Sequence, residues 1–223
     1  MLVTAFVPVK LNNVRLPGKN TKLFYDGKPL ISFILDTLLN VEIIDKIYVY
    51  CSDSTITEYL PCGIEFLKRP THLDLSETPF LEVLTSFADT IDSNIYVLTH
   101  TTAPFIKAES IIQGINAVKS GAYDSALSVN KCYDFLWSNG KPLNYSLDNI
   151  PRTQDLDPIF IETCGLYVYT KALIKSEKRR IGHTPYFVEL TKIESCDIND
   201  EEDFIIADAI SAYLNKNERR VDL

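Results

Sequence analysis

Short apolar runs alternate with helix-like segments through the first part of the chain. The runs predict five strands, at residues 2–9, 46–51, 64–67, 94–98 and 125–129. Helices are predicted between them, at residues 29–40, 55–60, 79–89 and 108–119. Strands that alternate with helices imply right-handed crossover connections and a mostly parallel sheet. The pattern therefore predicts an α/β fold arranged as a three-layer sandwich.

The alternation stops between residues 131 and 158. This segment holds the single tryptophan, Trp137, and turn-forming pairs at 139–140 and 141–142. It predicts an excursion from the sheet. Regular elements resume at 159–169, 172–177 and 186–190, and a final helix with an acidic first turn is predicted at 200–215. We expect one domain over residues 1–223 with this excursion attached.

The length and net charge of the chain exclude some classes of protein. The chain has 223 residues and a net charge of −8, with 46% hydrophobic residues. That size suits one domain, and the acidic balance argues against a nucleic-acid binder or a binder of anionic membranes. No apolar run approaches the roughly 20 residues of a membrane span. No leader peptide is evident, so we expect a cytoplasmic protein. The five cysteines lie singly and predict no disulfide framework or zinc site.

One loop departs from the acidic balance. Residues 10–22 follow the first predicted strand and contain four cations and no acid. Parallel sheets bind ligands at the carboxyl ends of their strands, so this loop predicts a phosphate site. Its spacing matches neither a Walker A motif nor a dinucleotide-binding fingerprint. On spacing alone, a solvated charged loop explains it equally well. We expect its Lys19 to be exposed, so that replacing Lys19 leaves thermal stability nearly unchanged.

Further motifs recur in a fixed order along nearly the whole chain. They are AFVPVKLNNVRLPGKN at 5–20, YCSD at 50–53, FLKRP at 66–70, LTHTTAP at 98–104, RTQ at 152–154, GLY at 165–167 and CDIND at 196–200. Together they resemble the CMP-sugar cytidylyltransferases, which include CMP-N-acylneuraminate synthetases and enzymes acting on eight-carbon keto-deoxy acids. The resemblance implies a Rossmann-like sheet of the nucleotide-diphospho-sugar transferase type.

The resemblance also implies a reaction. CMP is transferred from CTP to the anomeric hydroxyl of a keto-deoxy sugar acid, a nonulosonate such as N-acylneuraminate, and pyrophosphate is released with the help of Mg²⁺. Such chemistry demands positioning and charge stabilisation. The family further implies a homodimer, with residues 131–158 as the dimerisation arm and Trp137 and Tyr145 as interface anchors.

The resemblance assigns roles to individual residues of this sequence. The catalytic set is Lys10, Lys19 and Asp197. The nucleotide would be bound by Lys10, Asn12, Arg15, Gly18, Lys19, Asn20, Arg69 and Glu77. The sugar acid would be bound by His100, Thr102, Arg152 and Gln154, of which Arg152 would hold the carboxylate. Asp197 and Asn199 would hold Mg²⁺, which prefers oxygen ligands.

Three residues depart from the family pattern. Lys10 stands where many members have arginine, Asn199 where a second metal-binding aspartate is common, and Cys164 where asparagine is common. If Asn199 contributes nothing to Mg²⁺ binding, there are two alternatives. Either Asp197 and the phosphates of the substrate bind the ion by themselves, or Asp200 or Asp203 takes the place of Asn199. Two other functions therefore stay open. One is another nucleotidylyltransferase of this fold, acting on an octulosonate or a sugar phosphate, and the other is a catalytically silent nucleotide-binding protein.

Several of these side chains also have simpler structural explanations. Asp200 and Asp203 suit the cap of the last helix, and Glu77 suits a helix start. Arg152 suits an ion pair with a nearby aspartate. The basic run at 178–180 predicts a solvated surface.

Overall fold

The computed structural model describes residues 1–221. Within this range lie nine strands and four α-helices, in the order β1 (Val3–Val9), α1 (Leu30–Leu39), β2 (Lys46–Cys51), β3 (Glu65–Lys68), α2 (Phe80–Thr90), β4 (Ile95–Thr99), α3 (Ala108–Lys119), β5 (Ser125–Cys132), β6 (Trp137–Ser138), β7 (Lys141–Pro142), β8 (Ile159–Thr170), β9 (Pro185–Glu189) and α4 (Glu201–Val221). Short 3₁₀ helices occupy Lys19–Thr21, Ser54–Tyr59, Thr71–Asp74 and Thr153–Asp155, and a π-helical turn occupies Leu173–Glu177.

Seven strands form one sheet in the order β3-β2-β1-β4-β8-β5-β9. The β1 strand pairs in parallel with β2 and β4, and β5 pairs in parallel with β9. The β8 strand alone among these seven runs antiparallel to its neighbours, β4 and β5. The mostly parallel α/β sheet predicted from the alternation of strands and helices is thus confirmed.

Apolar side chains fill both faces of the sheet. On one face, α1 and α3 bury residues such as Ile34, Leu38 and Ile115 against the strands. On the other face, α2 and the π-helical turn pack over aromatic residues, and the Phe6 and Phe87 rings stack with centroids 4.0 Å apart. Each fully buried side chain of this size stabilises the fold by roughly 1.5–3 kcal/mol. The three layers follow from strands that are apolar on both faces.

A third apolar cluster holds the cationic loop in place. Leu16 from that loop and Phe24, two residues beyond it, pack with Phe105, Ile198 and Phe204. The Phe24 and Phe204 rings lie 4.8 Å apart. Because this cluster joins segments from both ends of the chain, it fixes the loop after β1 against the start of α4.

The β8 strand carries a backbone irregularity beside its pairing with β5. The register shifts between Leu127 and Val129, and Cys164 opposite has a φ angle of 57°. Asparagine adopts this left-handed conformation more readily than most other residues. The preference of the resembled family for asparagine at this position therefore has a backbone explanation.

The chain leaves the main sheet after Cys132, two residues later than expected, because Lys131 and Cys132 still pair with β8. The rest of the segment, to residue 158, lies outside that sheet. It contains the two-stranded β6–β7 hairpin and the 3₁₀ turn Thr153–Asp155. Trp137 is 55% exposed, and its ring lies 6.2 Å from that of Tyr145. Along residues 1–221, no helix combines the length and apolar character needed to cross a bilayer.

Candidate active site

Three loops meet beyond the carboxyl ends of β1 and β4 and are tied together by hydrogen bonds. Lys19 Nζ donates to the carbonyl oxygen of Ile198 at 2.8 Å, and Ile198 N donates to the carbonyl of Thr102 at 2.9 Å. Thr101 Oγ1 donates to Asn20 Oδ1 at 2.6 Å. The cationic loop, the loop after β4 and the segment before α4 therefore form one surface. Thr102, predicted to bind the sugar acid, contributes its backbone to this junction.

Lys19 is not the exposed loop cation that the sequence predicted. Its residue surface is only 8% exposed, and its ammonium bonds to Ile198. Burial lowers the pKa of Lys19, while the nearby Asp197 carboxylate opposes that shift. The expectation was wrong because the segment before α4 folds over the loop and its Ile198 carbonyl accepts the hydrogen bond of the lysine.

Three of the four loop cations line a small cavity. Lys10, Arg15 and Lys19 line a space of about 270 Å³ together with Ser76. Asn20 is buried and uses its Nδ2 group to bond the Lys10 carbonyl at 2.8 Å. It thereby holds the end of β1. Gly18 has a φ angle of 68°, which suits glycine at the turn before the 3₁₀ helix, and Asn12 is exposed.

Asn199 links the cationic loop to Asp197. Its Oδ1 accepts a hydrogen bond from Arg15 Nη2 at 2.9 Å, and its Nδ2 donates to Asp197 Oδ2 at 2.7 Å. This orientation satisfies both neighbours, because Arg15 needs an acceptor and Asp197 needs a donor. The amide oxygen of Asn199 is therefore engaged by Arg15, and Asp197 keeps its second oxygen for another partner.

A second cavity, of about 240 Å³, adjoins the first and shares Lys10 and Ser76 with it. Arg69 lies in its wall, is 4% exposed and forms an ion pair with Asp74. Ser52 Oγ also donates to Asp74 at 2.5 Å. Arg69 Nε is buried and has no hydrogen-bond partner within the described part of the chain. A buried unpaired donor is uncommon in folded proteins.

Glu77, predicted to bind the nucleotide, is exposed and lines neither of these cavities. Its neighbours Ser76 and Thr78 line the Arg69 cavity instead. The structure therefore gives Glu77 no contact with the cationic site, in keeping with the simpler explanation of a residue near a helix start.

His100 follows β4 and stands against the first residue of α2. The rings of His100 and Phe80 lie 5.4 Å apart, and Phe80 also lines the Arg69 cavity. Burial, with the charges of Arg180 and Lys19, lowers the pKa of His100 to about 4. The ring is therefore neutral near pH 7 and can donate at one nitrogen and accept at the other.

Arg180 is a residue that sequence reasoning missed, since the run 178–180 was expected to be solvated. Its guanidinium carbon lies 3.7 Å from the ring centroid of Tyr167, and Nη2 bonds Glu162 at 3.2 Å. The expectation was wrong for Arg180 because β8 presents an aromatic face and an acid to it. No periodic pattern or motif in the sequence signals this contact.

Arg152 and Gln154 are both exposed on the 131–158 segment. The Arg152 side chain is 79% exposed and forms a two-point ion pair with Asp155, at 2.8 and 3.0 Å. Neither Arg152 nor Gln154 lines the two cation-bearing cavities. Within one chain, the structure thus does not bring this pair together with Lys10 and Lys19.

A larger cavity, of about 760 Å³, opens at the opposite end of β4, between Asn94 and Lys171. It contains none of the residues that the sequence singled out. Ligands of parallel sheets bind at the carboxyl ends of the strands, so the smaller cation-lined cavities are the better candidates for the active site.

Comparison with known proteins decides the family. The cytidylyltransferase family model matches residues 4–158. The chain belongs to the cytidylyltransferase family. This membership confirms the resemblance that the ordered motifs indicated.

Two relatives of this chain are named for different substrates. N-acylneuraminate cytidylyltransferase of Streptococcus agalactiae is 25% identical over 210 residues, covering 89% of this chain and 51% of that protein. 3-deoxy-manno-octulosonate cytidylyltransferase 2 of Hydrogenovibrio crunogenus is 24% identical over 192 residues, covering 78% of this chain and 77% of that protein. The chain spans about half the length of the S. agalactiae relative.

A solved structure shows the same fold. The CMP:2-keto-3-deoxy-manno-octonic acid synthetase complexed with CTP aligns with a TM-score of 0.68 at 12% identity, over 96% of this chain and 99% of that chain. This agreement confirms the α/β fold class.

The aspartates near the start of α4 divide into two groups. Asp200 Oδ1 accepts from Asp203 N at 3.1 Å, and Asp203 Oδ2 accepts from Asn199 N at 2.8 Å and Asp200 N at 3.3 Å. These bonds cap the helix, so both side chains are committed to its first turn. Asp197 takes no part in the cap.

Proposed function

We propose that this cytidylyltransferase transfers CMP from CTP to the anomeric hydroxyl of a keto-deoxy sugar acid and releases pyrophosphate. The observation that carries the proposal is the cavity lined by Lys10, Arg15 and Lys19 in a chain whose net charge is −8. Three cations around one small space at the carboxyl end of β1 suit a triphosphate. The relatives named for sugar acids support the acceptor class.

The loop cations would act on the triphosphate by charge. Lys19 is buried, and charge interactions are stronger where water is excluded. Its ammonium is already positioned by the Ile198 carbonyl, so little rearrangement is needed when negative charge develops on the leaving pyrophosphate. Lys10 and Arg15 would neutralise the remaining charge, with Arg15 oriented by Asn199.

The Arg69 cavity would receive the cytosine ring. Arg69 lies in the wall of this cavity, and its positive charge, held by Asp74, would favour a carbonyl oxygen of the base nearby. Ser76 and Thr78 add polar groups to the same wall, and Phe80 adds an aromatic surface. Because Lys10 lines both cavities, base and phosphates would be bound side by side.

The donor groups present fit Mg²⁺ when the phosphates supply most of its ligands. Within the described residues, no group of three or more His, Cys, Asp or Glu side chains is placed to hold a metal ion. Proteins usually bind Mg²⁺ through one or two carboxylates and the phosphates of the substrate. Asp197 would be that carboxylate, and Asn199 would join only by releasing Arg15. Bound Mg²⁺ would polarise the phosphates and acidify the attacking hydroxyl.

The acceptor would lie on the far side of Phe80 from the nucleotide. His100 contacts Phe80 there, and Thr102 follows at the same loop. The neutral His100 ring would bond a hydroxyl group of the sugar without adding charge.

The segment 131–158 would pair two copies of the chain. It exposes an unusual number of large apolar side chains, which a partner would cover. These are Phe135, Trp137, Leu143, Leu147 and Ile150. Arg152 and Gln154 lie on the same segment, so any role they have in binding the sugar acid would depend on this pairing.

Pyrophosphate release tests the proposal. The protein is incubated with CTP, Mg²⁺ and one acceptor at a time: N-acetylneuraminate, 3-deoxy-manno-octulosonate or a hexose 1-phosphate. We expect turnover with a sugar acid and none with the sugar phosphate. Exclusive turnover of the sugar phosphate would reject the acceptor class. The octulosonate-named relative makes that acid the second candidate, and the same panel separates the two acids.

Calorimetry tests the catalytically silent alternative. CTP is titrated with and without Mg²⁺ into the wild-type protein and into Lys28→Ala, whose lysine pairs with Asp36 away from the cavities. Binding of CTP to both proteins, with no turnover on any acceptor, would favour a silent nucleotide-binding protein.

A further inference from the structure

Arg180 is held in a fixed orientation beside the proposed acceptor site. Its guanidinium lies over the Tyr167 ring, with Cζ 3.7 Å from the centroid, and over Phe80 at 5.6 Å. Nη2 donates to Tyr167 Oη at 3.0 Å and to Glu162 Oε1 at 3.2 Å. Tyr167 Oη also donates to Glu162. The aromatic rings on the faces of the guanidinium and the hydrogen bonds of Nη2 thus fix the orientation of the Arg180 side chain, which is 27% exposed.

The arrangement leaves part of the guanidinium unused. Nη2 makes both of its hydrogen bonds to protein, whereas Nε and Nη1 of Arg180 have no protein acceptor among residues 1–216. A guanidinium carries five N–H donors, and its two-point contacts to a carboxylate use Nη2 together with either Nε or Nη1. Because Nη2 of Arg180 is taken, the hydrogens of Nε and Nη1 remain for separate, single hydrogen bonds. Arg180 therefore retains donors that a ligand carboxylate can accept.

The position of Arg180 relates it to the chemistry. Tyr167 pairs with Leu98 on β4, two residues before His100. Phe80 contacts both Arg180 and His100, and it also lines the Arg69 cavity. Arg180 is thus separated from the proposed nucleotide cavity by one aromatic ring. Its charge also contributes to the lowered pKa of His100.

Arg152, the arginine that the sequence favoured for the carboxylate, differs from Arg180 in each respect. It is 79% exposed, and Asp155 already occupies two of its nitrogen atoms. A two-point contact to a ligand carboxylate through these atoms would require that ion pair to break.

We propose that Arg180 binds the carboxylate of the sugar-acid acceptor within the same chain, while Tyr167 and Glu162 hold its guanidinium in place. The inference rests on the proposed function, since it concerns the acceptor of that reaction. It assigns acceptor specificity to a residue outside the ordered motifs.

The test compares each sugar acid with its methyl ester, which keeps the anomeric hydroxyl and removes the negative charge. Wild-type protein, Arg180→Ala, Arg180→Lys, Arg152→Ala and the control Arg179→Ala are assayed by pyrophosphate release. Arg179 is the neighbouring residue, pairs with Glu177 and is 44% exposed. For each variant, kcat/KM is measured for the acid and for the ester, together with the KM for CTP.

We expect Arg180→Ala to lower kcat/KM for the acid roughly 10- to 100-fold, as for a lost hydrogen bond to a charged group. The ester rate and the KM for CTP stay within about twofold, so the preference for acid over ester collapses. Arg180→Lys keeps the positive charge but lacks the directed N–H groups of Nε and Nη1, so it should retain part of the preference. Arg179→Ala should match the wild type.

Distinct results would overturn the assignment. If Arg180→Ala lowers kcat/KM equally for the acid and the ester, the role of Arg180 is structural. The same conclusion follows if both Arg180→Lys and Arg180→Ala keep the wild-type preference for acid over ester. Collapse of the preference in Arg152→Ala alone would move the carboxylate to Arg152. If Arg180→Ala fails to fold, an unreduced acid preference in Arg180→Lys overturns the proposal. If the wild-type protein is inactive with every sugar acid, the proposed function is wrong, and so is the role assigned to Arg180.

Discussion

Replacing Lys19 with methionine removes an ammonium group that the fold has buried. Methionine keeps an unbranched, flexible stem, so the packing around Leu16 should change little. The Ile198 carbonyl loses the donor that now lies 2.8 Å away. The carboxylates of Asp197 and Asp203, which favour the charged lysine, lose a nearby cation.

Two opposing effects set the size of the stability change. A buried acceptor that loses its partner costs about 1–3 kcal/mol. Methionine also relieves the desolvation that lowers the pKa of Lys19, which returns part of that free energy. We expect a net loss of about 1–2 kcal/mol. For a chain of this size the melting temperature then falls by roughly 2–8 °C. Turnover should fall by a factor on the order of 10²–10³, as for a lost preorganised donor.

Circular dichroism measures the melting temperature, and pyrophosphate release measures kcat. Lys28→Met is the matched control, because Lys28 is a surface lysine paired with Asp36, and it should change neither quantity appreciably. Lys19→Arg keeps the charge and should retain more activity than Lys19→Met. An unchanged melting temperature would refute the argument from burial. Normal turnover in Lys19→Met would remove Lys19 from the nucleotide site.

Three further predictions concern single side chains. The pKa of His100 is about 4 in the folded protein and 6.5 in the unfolded chain. Between these pH values, His100 therefore binds a proton in the unfolded chain but not in the folded protein. The unfolding free energy should therefore fall by up to roughly 3 kcal/mol as pH drops from 6.5 to 4, and urea titrations of His100→Gln should show a flatter slope there. Asp74→Ala leaves the buried Arg69 charge unpaired and should cost about 3–5 kcal/mol in urea unfolding; a loss below 1 kcal/mol would mean that water reaches Arg69. Asp203→Ala removes the helix cap and should lower the unfolding free energy by about 1 kcal/mol without changing the Mg²⁺ dependence of activity. Asp197→Asn should weaken the activation by Mg²⁺. If instead Asp203→Ala weakened that activation and Asp197→Asn did not, Asp203 would be the metal ligand.

The strands and helices could be predicted from the sequence because the buried face of each element repeats apolar residues at a regular spacing along the chain. The strands predicted at 2–9 and 46–51 correspond to Val3–Val9 and Lys46–Cys51, and the helix at 108–119 to Ala108–Lys119. Boundaries shifted by a residue or two where polar residues end an element, as at Glu65–Lys68. The short helix predicted at 55–60 is a 3₁₀ helix that Asp53 caps through Thr55.

The site was predicted only in part, because motifs name residues without placing them. The ordered motifs pointed to Lys10, Arg15 and Lys19, and the structure does bring these three to one cavity. They gave no indication that Lys19 is buried or that Asn199 bonds Arg15. Those contacts join residues 179 and 184 positions apart, which no local pattern encodes.

The sequence by itself determined the α/β class, the excursion at 131–158 and the position of the cationic loop after the first strand. These properties follow from hydrophobic period, turn residues and local charge, all of which act over a few residues. Tertiary structure alone decided that Lys19 is enclosed and that Arg180 lies on Tyr167 beside His100. Burial and pairing of a charged side chain depend on which distant segments pack around it, and only the folded chain settles that.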